Sequence, residues 1–216
     1  MKIIVCIKQV PDTTEVKLDP KTGRLIRDGV PSIINPDDKN ALEEALRIKD
    51  ENPDTTVTVV SMGPPQADVA MREALAMGAD EAILISGREF GGSDTWATSY
   101  IIATAIKKIP DYDIIFCGRQ AIDGDTAQVG PQIAEQLNIP QITYVQKLDI
   151  EGDKVIVQRQ LEDGYTVVEA KMPVLLTAIK ELNTPRYMTP KGIFEAYNKT
   201  VQVWGFNDVP VDAEKI

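Results

Sequence analysis

The chain has 216 residues, 43% of them hydrophobic, enough for a substantial core, and its formal net charge of −10 repels phosphate backbones and anionic lipid. It contains no histidine and only two cysteines, which excludes a Ser-His-Asp triad, a Cys-His pair, a histidine metal site and an iron–sulfur cluster on four protein thiolates. Any redox chemistry must be carried by a bound organic cofactor, and the apolar runs are too short to span a bilayer or to form a signal peptide; the expectation is a cytoplasmic protein without nucleic-acid or membrane partners.

IIVCI at 3–7 is a continuous apolar run rich in β-branched residues and predicts a strand buried on both faces. NPDDKNALEEALRI at 35–48 predicts a helix, with Asn35 as N-cap, Pro36 at the first helical position, and Ala41, Leu42, Ala45, Leu46 and Ile48 as its apolar stripe. VTVVS at 57–61 is a second strand, and 64–77 a helix closed by Gly78 in a left-handed conformation. AILIS at 82–86 is a third strand; Ser93 or Asp94 caps a helix over 95–109. DIIFC at 113–117 is a fourth strand, followed by a helix at 128–137. Cys6 and Cys117 lie inside apolar runs and read as buried thiols.

Strands alternating with amphipathic helices predict right-handed crossovers and a parallel sheet. Beyond residue 138 the pattern changes: ITYVQKLDI, KVIVQRQL and YTVVEAKMPVLLTAI read as an antiparallel meander with turns at 151–153 and 162–164. Turn formers dominate KELNTPRYMTPKG at 180–192, and the tail offers one short strand before polar residues. The fold class is therefore α/β: a parallel-sheet, Rossmann-like core with an appended antiparallel β segment, over a single domain at 1–216.

In an open α/β sheet, ligands bind beyond the carboxyl ends of the strands. Those ends are followed here by KQVPDT (8–13), SMGPPQA (61–67), SGREFGGSD (86–94) and GRQAIDGDTAQVGP (118–131). Glycine in three of the four suits close backbone approach to a ligand, and helix N-termini suit a phosphate, which implies a nucleotide. No G-x-G-x-x-G follows the first strand, and Gly124 and Gly130 lack the lysine of a Walker A loop. The carboxylates Asp123 and Asp125 make sense facing ribose or ribityl hydroxyls, or as structural turn and cap residues. The N–H groups of Ala127, Gln128, Val129 and Gly130, with the Thr126 hydroxyl, would hold phosphates.

VCIKQVPD, DGV followed by NPDDKNALEEALRIKD, SMGPPQA with REALAMGADEA, GRQAIDGDTAQVGPQIAE and LNTPRY occur in this order over nearly all of the chain. With these motifs the sequence resembles the beta subunits of electron-transferring flavoproteins. The resemblance implies a heterodimer with an alpha subunit and an adenine-nucleotide site in this chain. In the carrier type that site holds AMP. In the electron-bifurcating type it holds FAD, which takes a hydride from NADH and sends one electron to ferredoxin or flavodoxin. The other passes through the alpha-subunit FAD to an acyl-CoA, enoyl-CoA or lactate-type dehydrogenase. AMP-binding members carry Asn-Gln-Thr-Gly where this chain has AQVG at 127–130, so Ala127 and Val129 are trimmed, and the resemblance is closer to the bifurcating, anaerobic type.

By position, the resemblance implies cofactor contacts from Cys6, Lys8, Asn35 to Asp38, Met62, Gly63, Asp123, Gly124, Asp125, Thr126, Ala127, Gln128, Val129 and Gly130. NADH is expected near Pro64, Pro65 and Gln66. No residue need be catalytic, because the flavin carries the chemistry, and no metal is implied. LNTPRY matches a recognition loop, at about 179–192, that docks the dehydrogenase through an exposed Leu182, with Lys180, Arg186 and Lys191 supplying positive charge. The resemblance also implies a C-terminal arm that this chain, ending at Ile216, leaves incomplete. Competing readings are a single-flavin carrier with structural AMP, a nucleotide-sensing α/β protein of the universal-stress type, and a purely structural partner of the alpha subunit.

Overall fold

The structure, a computed structural model, describes residues 1–12 and 31–216. The DGV motif at 28–30 and Thr13, the last residue of KQVPDT, lie outside the described residues. The chain begins with β1 (Lys2–Cys6), then β2 (Gln9–Pro11) and β3 (Ser32–Ile34), which pair as a small antiparallel sheet. There follow α1 (Pro36–Glu51), β4 (Thr56–Met62), α2 (Asp68–Met77), β5 (Glu81–Ile85), α3 (Thr95–Ile106), β6 (Ile114–Gly118) and α4 (Val129–Leu137). The remainder is β7 (Gln141–Glu151), β8 (Lys154–Leu161), β9 (Gly164–Lys171), β10 (Val174–Ala178), α5 (Pro190–Asn198) and β11 (Val201–Trp204).

The main sheet has nine strands in the order β11-β5-β4-β1-β6-β10-β7-β8-β9. It is parallel from β11 through β7; β8 and β9 add antiparallel to that edge. Alternating side chains of β1 explain its two layers. Ile3 and Val5 face a core built with α1 and α2, and Ile4 and Cys6 face one built with α3 and α4. Both faces are covered, which is why the parallel strands read as unbroken apolar runs.

Two elements differ from the sequence expectation. The run at 165–179 is not one meander strand. It breaks at Met172 and Pro173, since a proline has no N–H for the ladder. β10 then inserts between β6 and β7, parallel to both. The segment at 190–198, unassigned from sequence, forms α5. Thr189 caps it by accepting from Gly192 N–H at 3.0 Å, and Pro190 occupies the first turn. Gly192 hides this helix in a sequence reading, yet it is what lets α5 lie on α2: a Cβ there would stand 2.3 Å from the Ala76 carbonyl oxygen.

Smaller expectations are refined. Asp94, not Ser93, caps α3, accepting from Ala97 N–H at 2.8 Å. Gly78 closes α2 at φ 131°, a positive φ outside the left-handed helical region. No helix among the described residues is long and apolar enough to cross a membrane.

Candidate nucleotide site

β1 lies between β4 on one side and β6 on the other, so successive crossovers leave it in opposite directions. The crevice beyond the carboxyl ends of β1 and β6 is thus the topological switch point of the sheet. A cavity of about 970 Å³ opens there, at the top of the range of roughly 300–1,000 Å³ usual for ligand pockets. Cys6 and Cys117 are register partners on β1 and β6 and form its floor as free, buried thiols. The hydrogen bond with Cys6, with burial, pushes the Cys117 thiol well above its ordinary range.

The rear wall depends on Asp38, in the first turn of α1. Its carboxylate accepts from Lys8 N–H at 2.8 Å and from Gly118 N–H at 2.9 Å, tying the ends of β1 and β6 to the helix. Burial raises its pKa to about 7, against the opposing pull of hydrogen bonds from Lys8, Asn35 and Gly118. Asp38 is therefore a buried strut and not a solvated helical charge. Neighbouring Asp37 is raised by burial and lowered by Arg119, whose Nε lies 3.4 Å from it.

The loop after β6 is held from behind. Asn35 does not cap α1 with its side chain. Instead its Nδ2 donates to Gln120 C=O at 2.8 Å and its Oδ1 accepts from Ile122 N–H at 3.0 Å. Lys8 Nζ reaches Asp123 Oδ1 at 2.6 Å, so the Asp123 side chain is turned into the protein and does not line the cavity. Asp125 does line it, held by Gln120 Nε2 at 2.8 Å. Asp125 and Ala127 both take positive φ, 49° and 51°. Such conformations cost a non-glycine residue on the order of 1 kcal/mol or more and concentrate at ligand sites. The loop then enters α4, whose first N–H groups have no carbonyl partner within the helix. Gly130 sits against β6 and β10, where a Cβ would be 3.0 Å from Thr177 Cγ2 and 3.5 Å from Cys117 Cβ.

The structure brings most of the expected residues together. Cys6, Lys8, Asp38, Met62, Gly63 and the stretch Gly124, Asp125, Thr126, Ala127, Gln128, Val129 and Gly130 line one cavity with Pro64 and Pro65. Asn35 and Asp123 stand behind it as supports, and Gln66 is outside the lining, its carbonyl accepting from Gln9 Nε2 at 3.2 Å. The expected exposed Leu182 is corrected: it is 8% exposed and packed into the core on the α1 side of the sheet. Tyr187, at 95%, is the most exposed large hydrophobic side chain of that loop. Arg186 is also committed, its guanidinium binding Glu43 at 2.9 and 3.1 Å and Asp50 at 2.7 Å. Lys180 and Lys191 remain well exposed.

Sequence reasoning identified the loop at 86–94 as a strand-end loop but took no residue from it. Ser86, Gly87, Arg88 and Gly91 to Thr95 line the cavity, as do Gly118, Arg119 and Gln120. The available signal was an arginine among three glycines at the carboxyl end of a strand. Gly118 is required by its neighbour: a Cβ there would meet Asp38 Oδ1 at 2.3 Å and Asp38 N at 2.7 Å. Among the described residues there is no cluster of three or more metal-ligating side chains.

A parallel sheet with a large cleft at its switch point, walled by a glycine-bearing loop and a helix N-terminus, defines an α/β chain with its candidate ligand site where open sheets of this kind bind their ligands. The sequence pattern of the electron transfer flavoprotein domain matches residues 22–209. The chain is 66% identical over 217 residues to an electron transfer flavoprotein subunit beta from Thermoanaerobacterium thermosaccharolyticum, covering 100% of this chain and 83% of the relative. It is 61% identical over 214 residues, 99% of this chain and 82% of the relative, to the caffeyl-CoA reductase-Etf complex subunit CarD of Acetobacterium woodii. A further relative, the acryloyl-CoA reductase electron transfer subunit gamma of Anaerotignum propionicum, is 56% identical over 207 residues, 94% of this chain and 77% of the relative. The chain belongs to the electron transfer flavoprotein beta-subunit family. Its role is electron transfer, and an alpha subunit is its implied partner.

Proposed function

We propose that this chain holds FAD in the switch-point cavity and, with its alpha subunit, forms an electron-bifurcating flavoprotein. When bound, the flavin would supply hydride acceptance from NADH and one-electron transfer to two acceptors. Those acceptors are a ferredoxin or flavodoxin at low potential and, through the alpha-subunit FAD, a dehydrogenase. The observation that carries this reading is the trimmed wall at Ala127 and Val129 beside a cavity of about 970 Å³. Ala127 adopts φ 51°, where asparagine is more at ease, so a small side chain is kept there against the backbone preference. Space is the physical gain.

The residues fit such a cofactor in three ways. The first turn of α4 would take the pyrophosphate, and Thr126 would assist with its hydroxyl. Asp125, exposed on the lining, would accept from ribityl or ribose hydroxyls. Cys6, Cys117, Met62 and Ile133 give the floor an apolar, polarisable surface. Two relatives named for caffeyl-CoA and acryloyl-CoA reductases favour a dehydrogenase of the enoyl-CoA class over a lactate-type one.

The test is the cofactor content of the co-expressed alpha–beta heterodimer, measured by acid release and chromatography. Two FAD and no AMP are expected. One FAD with one AMP would make the heterodimer a simple carrier and overturn the reading of Ala127 and Val129.

A further inference from the structure

The cavity is lined by three cationic side chains, Lys8, Arg88 and Arg119. Two are neutralised in place: Lys8 by Asp123 at 2.6 Å and Arg119 by Asp37 at 3.4 Å. The Arg88 guanidinium has neither an ion pair nor a hydrogen bond among the described residues. It stands on a single 3₁₀ turn, Arg88–Phe90, at the carboxyl end of β5. That turn is fixed, because Phe90 is 4% exposed and packs at 6.1 Å on Phe206, and Ser93 Oγ donates to the Phe90 carbonyl at 2.9 Å. Arg88 is thus presented to the cavity from an anchored support.

Its surroundings make this arrangement selective. Asp94 already satisfies the start of α3, so that helix end does not attract an anion. In the same cleft, the first turn of α4 provides one set of free N–H groups. The proposed reaction brings two dinucleotides to one cleft, each with a pyrophosphate. One helix N-terminus serves one pyrophosphate; a second needs another donor set. An unpaired guanidinium offers a planar fork that matches phosphate oxygens bidentately.

We propose that Arg88 binds a phosphate of the nicotinamide dinucleotide, at a subsite distinct from the one that holds the phosphates of the resident flavin. The proposal rests on the FAD-binding reading above. It shifts the reductant's phosphate end away from Pro64–Gln66 and toward the loop at 86–94.

The experiment uses the alpha–beta heterodimer with R88A and R88K. FAD content is measured by acid release, NAD⁺ binding by calorimetry, and NADH oxidation with an artificial dye acceptor. For R88A we expect unchanged FAD content, with Kd for NAD⁺ and KM for NADH raised about tenfold or more and kcat within about twofold of the parent. R88K is expected to lie between, since a lysine keeps the charge but loses the fork. Unchanged Kd and KM with FAD retained would overturn the proposal, and so would loss of FAD from R88A, which would assign Arg88 to the flavin. A parent heterodimer that holds AMP and binds no NAD⁺ would instead overturn the functional reading, and this inference with it.

Discussion

Gly118 donates its N–H to Asp38 Oδ1 at 2.9 Å, and that same oxygen lies 2.3 Å from where a Cβ at 118 would stand. The end of β6 and the start of α1 therefore touch through a residue without a side chain. G118A is expected to lower stability by at least about 3 kcal/mol, because the obstructing atoms are buried backbone and a pinned carboxylate. Urea denaturation checks this. A loss below about 1 kcal/mol would mean that α1 can slide, and that Asp38 is not a fixed strut.

Asp38 should make stability fall as pH rises. Its folded pKa of about 7 lies above its ordinary 3.8, so the folded state binds the proton more tightly than the unfolded state. Its contribution is most favourable below the unfolded value and is lost as pH climbs from about 4 to about 7. The loss is on the order of a few kcal/mol. Unfolding free energies of the parent and D38N, compared between pH 4 and 8, should diverge in favour of D38N with rising pH. Parallel curves would refute the shift.

A127N combined with V129T should move cofactor preference. Asparagine accepts φ 51° more readily than alanine, so the apo fold should not lose stability. The added side chains narrow the wall beside α4, and FAD occupancy of the heterodimer should fall while AMP occupancy rises. Retention of full FAD would mean that these two positions do not set the size of the site.

Arg186 ties the loop after β10 to α1. Its guanidinium and its N–H all reach the Glu43 carboxylate, whose side chain is 7% exposed, whereas Asp50 lies at the surface. R186A would strand the Glu43 charge, and a cost of about 2–3 kcal/mol is expected, with E43Q recovering part of it. A double-mutant cycle read by thermal denaturation gives the coupling. No coupling would show that the pair contributes nothing.

The two thiols should be inert in the folded protein. Both are buried, and Cys117 is held protonated by its contact with Cys6 and by burial. Labelling with iodoacetamide at pH 8 should require denaturant. Rapid labelling of the native chain would mean that the cavity floor opens.

Much of this molecule could be read in advance where local pattern and tertiary demand agree. β1, β4, β5 and β6 are unbroken apolar runs because both faces of the sheet are covered, and three of the four loops at their carboxyl ends stood out through glycine. What escaped was set by partners distant in sequence. β10 belongs between β6 and β7, and only the geometry of the whole sheet says so. α5 is short and begins around a glycine that only the Ala76 carbonyl explains. Leu182 looked like an anchor for another protein, but the core claims it. Asp123 looked like a ligand contact, but Lys8, far along the chain, takes its carboxylate. Arg88 went unnoticed because no short-range motif marks an arginine that has been left unpaired.

The insertion of β10 also imposes an order on how the molecule is made. β6 pairs with β1 on one side, but its other edge stays bare until Val174 to Ala178 have emerged, and β5 waits longer still for Val201 to Trp204. During synthesis the cleft's central wall is thus an open strand edge bearing Ile114, Phe116 and Cys117, the kind of surface on which chaperones act. A ribosome that stalls between Leu137 and Pro173 would hold a nascent chain whose motifs are almost all present and whose sheet cannot yet close.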